Sequence, residues 1–369
     1  MTRQFSTCSP HPPDGDDGAR VWVESPLQML SAVECFHRGL LGNRADLVPR
    51  QGSPSMTRTA SELSGLGLPQ GLRIASPAGT PPRFPRHGAW GVGDPFSGQV
   101  QRRWLFSPPR HDLVLVDDGL ATVHLLDLLS RPRPAPIVRA RARPTPARVA
   151  LARVTASRLL AAANAGRLVV FTALAVEDGL AREVSELGVR LVPHDFGWLR
   201  SQPSPAAPSE RLVVLGTSLV ANGLVHAEPY LAWMRELARH GAVAYYPHPR
   251  EDARTLDRLR AYPGVGVRDL GAPAEVQLRG LGPRHRLLSL PSTAVTSLRL
   301  LLAPAGAVVD GLRVPEAWWT SRVPTELRAH LNLTVTGADQ GCRRQEAPAP
   351  PSQGILPLDA AAPRGLLTP

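Results

Sequence analysis

The sequence predicts an α/β protein built of two doubly wound, Rossmann-like domains facing across a cleft, and three observations lead there. Apolar runs of strand length alternate with helical patterns through both halves of the chain, and a Pro/Ser-rich stretch, Ser201–Ser209, separates the halves. Three polar motifs each follow an apolar run: Asp117-Asp118-Gly119 after His111–Val116, His248-Pro249 after Ala242–Tyr246, and Ser292-Thr293 after Arg286–Leu290. In open α/β sheets, ligands bind beyond the carboxyl ends of the strands, so all three motifs stand where chemistry is usually placed.

Residues 1–19 are polar with Pro and Gly and are expected to be disordered. Structure starts with a strand at Val21-Trp22-Val23-Glu24. Ser25 then suits a helix N-cap, Pro26 the first helical position, and Gln28 completes a capping box. Leu27, Leu30, Val33 and Phe36 recur at helical spacing. Alternation is less regular up to the strand ending at Val116, after which a helix is expected over 120–129. The Arg/Pro-rich segment 131–148 makes a poor helix or strand because of its prolines. A helix over 149–164, a strand from Arg167 to Thr172 and a further helix–strand pair complete an N-terminal domain over 20–200, followed by a linker at 201–210. The C-terminal domain, 211–346, reads more cleanly. Strands fall at 211–215, 242–246, 286–290 and 305–309, with helices near 228–239, 250–260 and 273–280 and another from Ser292. The Pro/Ala-rich tail, 347–369, is again expected to be disordered.

At 369 residues there is room for two sizeable cores, and 43% apolar residues is usual for a globular protein. No apolar run reaches the length of a membrane span and the N-terminus has no secretory core, so a cytoplasmic protein is expected, with peripheral contact at the inner face of the cell membrane left open. Cys8, Cys35 and Cys342 form neither a disulfide framework nor a zinc spacing. The net charge of +11 comes from 42 arginines without a single lysine, beside abundant Ala, Gly and Pro. That is a codon-bias signature more than a nucleic-acid footprint. With no nucleic-acid-binding motif beside it, no nucleic-acid partner is expected. The arginines at 131, 133, 139, 141 and 143 fit a solvated loop better than a dedicated anion site.

The chemistry is concentrated in few residues, each with a plainer explanation beside it. The pair Asp117 and Asp118 offers a general base, or it caps the next helix; Glu177-Asp178-Gly179 shows how easily the pattern arises. His248, held between Pro247 and Pro249, can hydrogen-bond or protonate a departing phosphate, although a loop histidine is often structural. Ser292 and Thr293 open a helix, where hydroxyls and free N–H groups hold anions or merely cap. Glu275 can accept hydrogen bonds from ribose hydroxyls or be a plain surface acid. Gly216-Thr217-Ser218-Leu219 resembles a nucleotide-side turn but lacks the lysine and spacing of a P-loop. The loop Gly93–Gln99, with Asp94 and Ser97, can bind an acceptor or simply connect elements. No third carboxylate completes a metal site around the Asp pair.

Taken in order, these motifs resemble the bacterial sialyltransferases, specifically the polysialyltransferase-type (alpha-2,8-polysialyltransferase) family. The resemblance rests on Glu24-Ser25-Pro26-Leu27-Gln28, Asp117-Asp118-Gly119, the Leu215-Gly216 turn, Tyr246-Pro247-His248-Pro249-Arg250-Glu251, Glu275 and Ser292-Thr293, and runs from about Val21 to Asp310. It implies a metal-independent GT-B glycosyltransferase of cell-surface polysaccharide biosynthesis. CMP-sialic acid or a related CMP-nonulosonate is then the co-substrate, no cofactor is needed, and a glycan or lipid-linked glycan is the acceptor. In that family the acidic-acidic-Gly motif deprotonates the acceptor. The residues matching His248, Ser292 and Thr293 hold the CMP phosphate, and the acid matching Glu275 contacts the ribose. Donor contacts would extend to Pro249 and Gly216, and acceptor contacts to Ser25, Gln28, Asp94 and Ser97. The alternatives are a GT-B transferase using another nucleotide sugar, or a noncatalytic binder of nucleotide sugars or anionic glycans.

Overall fold

Strands whose two faces are both apolar must be covered on both sides, which parallel sheets with flanking helices achieve. The protein, here a computed structural model, forms two such sheets; the structure describes residues 18–85, 87–106, 111–139, 144–268, 272–325, 327, 328, 331 and 335. The N-terminal domain runs β1 (Ala19–Val23), α1 (Pro26–His37), β2 (Ala45–Pro49), α2 (Pro54–Gly65), β3 (Leu72–Ile74), β4 (Trp90–Val92), α3 (Gly98–Phe106), β5 (Leu113–Val116) and α4 (Leu120–Ser130). It continues through α5 (Pro146–Asn164), β6 (Leu168–Thr172), α6 (Asp178–Glu186), β7 (Val189–Pro193) and α7 (Gly197–Ser201). Residues 202–211 then run without helix or strand. The C-terminal domain follows with β8 (Leu212–Leu215), α8 (Ser218–Ala221), α9 (Ala227–His240), β9 (Val243–Tyr246), α10 (Ala253–Arg260), β10 (Val265–Val267), α11 (Ala274–Leu278), β11 (Arg286–Ser289), α12 (Thr293–Leu302) and β12 (Val308–Gly311).

The seven-stranded sheet has the order β3-β2-β1-β4-β5-β6-β7 and the five-stranded sheet β10-β9-β8-β11-β12, with every paired strand parallel. In both, the order reverses beside the first strand, between β1 and β4 and between β8 and β11. That reversal is the switch point at which doubly wound folds bind ligands. One apolar cluster is shared between the domains. It runs from Val21, Met29 and Val114 through Trp198 and Leu199 to Val213, Leu215, Val276 and Leu298. Two further clusters cover the outer faces of the two sheets. The fold is therefore α/β, two Rossmann-like domains joined through a common apolar layer.

Several elements differ from their sequence reading in informative ways. Ser25 caps α1 as expected, accepting from Gln28 N at 3.3 Å, but Gln28 Oε1 accepts from Glu24 N, one residue before the residue a capping box would use. The helix also has no wet face over most of its length, because Gln28 to Phe36 are all buried beneath α2 and α7. Each fully buried Leu30 or Val33 side chain contributes about 1.5–3 kcal/mol. The helix expected over 250–260 begins only at Ala253. Asp252 outcompetes earlier residues as N-cap by accepting from Thr255 N at 2.9 Å, which leaves His248–Glu251 as a tight turn. The short edge strand β10 has no counterpart in the sequence reading. Among the described residues, no helix is long and apolar enough to cross a membrane.

Candidate active site between the two sheets

The residues after β1, β4 and β5 meet because those strands are neighbours. Asp118 is the centre of this group. Gln28 Nε2 donates to its Oδ1 at 2.7 Å, and Ser25 Oγ lies 3.5 Å from the same oxygen. Room for the Gln28 amide comes from Gly93, where an added Cβ would stand 2.6 Å from Gln28 Cγ. Among the described residues, Asp118 Oδ2 has no hydrogen-bond partner in the chain. Burial pushes the Asp118 carboxyl up to about 7; the charges of Asp94 and Asp117 act in the same direction, while the Gln28 hydrogen bond and the Arg139 charge oppose it. A carboxylate with those properties is suited to take a proton near neutrality.

Asp117 points elsewhere. It is 3% exposed, and its Oδ1 accepts from Gly119 N and Thr122 Oγ1, both at 3.0 Å, while Oδ2 accepts from Ala173 N at 2.9 Å. These bonds tie the end of β5 to α4 and to the end of β6. Burial raises its carboxyl, and the hydrogen bonds offset this only in part. Thr122, which also accepts from Asp118 N at 3.1 Å, was not singled out in the sequence. The only signal for it was a threonine in the first turn of the helix after the Asp pair.

Asp94 is buried, accepting from Phe96 N at 2.9 Å and from Arg139 Nη2 at 2.6 Å. The Arg139 side chain is 56% exposed and lies 6.0 Å over the Phe96 ring. Ser97 is buried, with its backbone N donating to Asp94 O at 3.2 Å. Arg148 Nη2 donates to Phe96 O at 2.6 Å. The Arg/Pro-rich segment thus supplies a partner to a buried carboxylate, which its composition did not announce. Arg131 pairs with Asp127, and Arg141 and Arg143 lie outside the described residues.

On the other sheet, Gly216, His248 and Ser292 follow the neighbouring strands β8, β9 and β11. Arg250 N donates to His248 Nδ1 at 3.0 Å, so the neutral ring carries its proton on Nε2. Burial, with the Arg250 charge adding to it, holds the ring's pKa below the usual histidine value. The result is a neutral imidazole whose Nε2–H has no acceptor among the described residues. Pro249 beside it is exposed. Ser292 is the N-cap of α12, its Oγ accepting from Ala294 N at 3.3 Å, and Thr293 is the first helical residue. Glu275 is no surface acid. It is 4% exposed, accepts from Ser297 Oγ of α12, and has its carboxyl raised by burial.

The two groups of loops touch. Gly119 has φ +68°, and an added Cβ would meet Thr293 Cγ2 at 2.8 Å and Oγ1 at 3.2 Å. The Asp-Asp-Gly loop of one domain therefore lies directly against the first turn of α12 in the other. By contrast, Glu177 and Asp178 of the look-alike Glu-Asp-Gly sequence are exposed at the start of α6. Among the described residues, no three His, Cys, Asp or Glu side chains are grouped as metal ligands. A separate open cavity of about 720 Å3 lies between the start of α9 and the segment Trp319–Arg328, and none of the motif residues lines it.

No family model and no curated protein matches the sequence. Solved structures do resemble the fold. The alpha/beta-galactoside alpha-2,3-sialyltransferase of Photobacterium phosphoreum has 9% identity and a TM-score of 0.46, over 86% of this chain and 95% of that one. Phytolacca americana UGT2, solved with UDP-2fluoro-glucose and pterostilbene, has 12% identity and a TM-score of 0.43, over 85% and 82%. A UDP-glucose:anthocyanidin 3-O-glucosyltransferase in complex with UDP has 10% identity and a TM-score of 0.40, over 88% and 94%.

Proposed function

We propose that the protein is an inverting glycosyltransferase that moves sialic acid, or a related nonulosonate, from a CMP-activated donor to a glycan or lipid-linked glycan acceptor. The observation that carries this reading is the contact between the Asp118 loop and the α12 N-terminus, which sets a near-neutral carboxylate beside a set of phosphate-type donors. Direct displacement needs both halves at once. Asp118 takes the proton of the acceptor hydroxyl as that oxygen bonds to the anomeric carbon. The bond from this carbon to the phosphate oxygen breaks, and CMP leaves with the electron pair. Charge grows on one phosphate, where His248 Nε2–H, the hydroxyls of Ser292 and Thr293, and the dipole of α12 can receive it. Asp117 serves as the brace of the base loop, and Ser25 and Gln28 orient the base. The charge on the leaving phosphate is thereby met by the protein's own donors, so turnover is expected to survive a chelator.

The test is nucleotide preference together with donor hydrolysis. Calorimetry should show CMP binding in preference to UDP and GDP, and CMP-sialic acid should slowly release CMP without an acceptor. Preference for UDP or GDP would transfer the chain to another donor class; CMP binding without any turnover would make it a binder.

A further inference from the structure

The turn that carries His248 is held from behind by a buried polar chain that the proposed chemistry does not itself use. Tyr230 and Tyr245 are both fully buried, with hydroxyl oxygens 2.9 Å apart. The Tyr245 hydroxyl also donates to Glu251 Oε1, and Glu251 Oε2 accepts from His248 N at 3.0 Å. Glu251 N in turn donates to His248 O at 2.9 Å, so both backbone polar groups of His248 end on one residue. The donors can be ordered in only one way around an ionised Glu251. Tyr245 spends its proton on the carboxylate, and Tyr230 therefore donates to Tyr245.

The space for this arrangement is made by Gly216. A Cβ there would collide with Glu251 Oε2 and stand 2.7 Å from His248 N and 2.8 Å from the Tyr245 hydroxyl oxygen. Two phenylalanines would fill the same volume without the cost of burying two hydroxyls, which marks the polar chain as serving something beyond packing. What it fixes is the turn in which Arg250 N reaches His248 Nδ1, and that bond decides which ring nitrogen keeps the proton.

We infer that Glu251, backed by Tyr245 and Tyr230, is a positioning residue that locks His248 into the placement and tautomer presenting Nε2–H to the leaving phosphate. This role rests on the glycosyl-transfer reading for its chemistry, while the lock itself is a property of the folded chain. Glu251→Ala removes both side-chain contacts. Tyr245→Phe removes a single oxygen and guards against a variant that fails to fold. Glu251→Gln keeps an oxygen for His248 N and, with the tyrosine chain reversed, a donor for Tyr245.

Two measurements on the full chain test it. In protein labelled with 15N-histidine, the His248 ring, assigned by its loss in His248→Gln, should show the Nε2–H tautomer at neutral pH. The pattern should persist in Glu251→Gln and move towards tautomer averaging in Glu251→Ala and Tyr245→Phe. Unchanged His248 signals in the last two would overturn the inference. The second is a double-mutant cycle on donor hydrolysis. Glu251→Ala should lower kcat about 10-fold with KM for the CMP-sugar little changed, and should cost nothing further once His248 is alanine. Additive losses would assign Glu251 a merely structural role. If the wild-type chain hydrolyses no CMP-sugar, the transferase reading fails, and the NMR result still decides the lock.

Discussion

Asp117 and Asp118 are adjacent in sequence and opposite in how their carboxylates are engaged. Among the described residues, Asp118 keeps one oxygen without a partner, whereas Asp117 spends both on Gly119, Thr122 and Ala173. Replacing Asp118 with Asn should lower transfer by about 100-fold or more and leave CMP affinity within a few-fold of wild type, as expected for loss of a general base. Because its carboxyl sits at about 7 and must be ionised to act, kcat/KM should rise with pH through about 7 and level off above it. A flat profile between pH 6 and 8 would remove Asp118 from proton transfer. In Asp117→Asn, an NH2 group must face a backbone N–H that now donates to a carboxylate oxygen. The expected loss is about 1–3 kcal/mol of stability, read as a lowered Tm, with any drop in activity following the unfolded fraction. The position of the pair after a strand was legible in the sequence. Which of the two turns inward was not, because that depends on Ala173 and Thr122, whose approach is set by the fold.

At the scale of elements, the sequence revealed strands and helices more readily than their exact starts. The start of α10 mattered most. With the helix begun at 250, Glu251 would be an ordinary first-turn acid; with Asp252 as cap, it is free to fold back onto His248. Glycines likewise carried more than their turn signals. Gly119 needs its positive φ, and it also lies against Thr293 of the opposite domain, a contact visible only once the domains are assembled. Gly119→Ala should therefore do more than strain a turn. The Cβ would force the base loop and α12 apart by several tenths of an ångström, and near-attack geometry is lost with shifts of this kind. We expect turnover to fall about 100-fold while CMP affinity changes far less. Equal losses in CMP affinity and turnover would mean that the contact maintains the donor site alone.

The strand order is what the sequence withholds at the scale of the whole molecule. Strands β1, β4 and β5 are far apart along the chain, and only their adjacency in the sheet brings Gln28, Asp94 and Asp118 together. The anchoring of α7, the last helix before the second domain, is equally hidden. Phe196, with φ +57°, precedes α7 and cannot cap it; Glu34 of α1 instead accepts from Trp198 N at 2.9 Å and Leu199 N at 2.8 Å. Burial pushes Glu34 up to about 7, against those two hydrogen bonds, and Glu251 is likewise raised by burial to about 7. Asp118 behaves in the same way, and burial also raises Asp94, Asp117 and Glu275, so six carboxyls hold a proton more tightly in the folded chain than in the unfolded one. Between about pH 4.5 and 7 the folded state then binds more protons, so stability is greatest at the acid end of that window and falls as pH rises through it. His194, lowered by burial to about 3, and His248, also lowered by burial, work in the opposite direction below about 6.5, but they are outnumbered by the raised carboxyls. The Tm should thus fall between pH 5.5 and pH 8, by about 2–4 °C for each kcal/mol lost. Glu34→Gln should start lower, since its NH2 faces an N–H, and should lose less over the same interval. A wild-type Tm that climbs from pH 5.5 to 8 would refute the account of these carboxyls as buried and proton-holding. The same rise in pH that ionises Asp118 for the proposed proton transfer lowers the stability of the fold, so any activity gained above neutrality is expected from a less stable molecule.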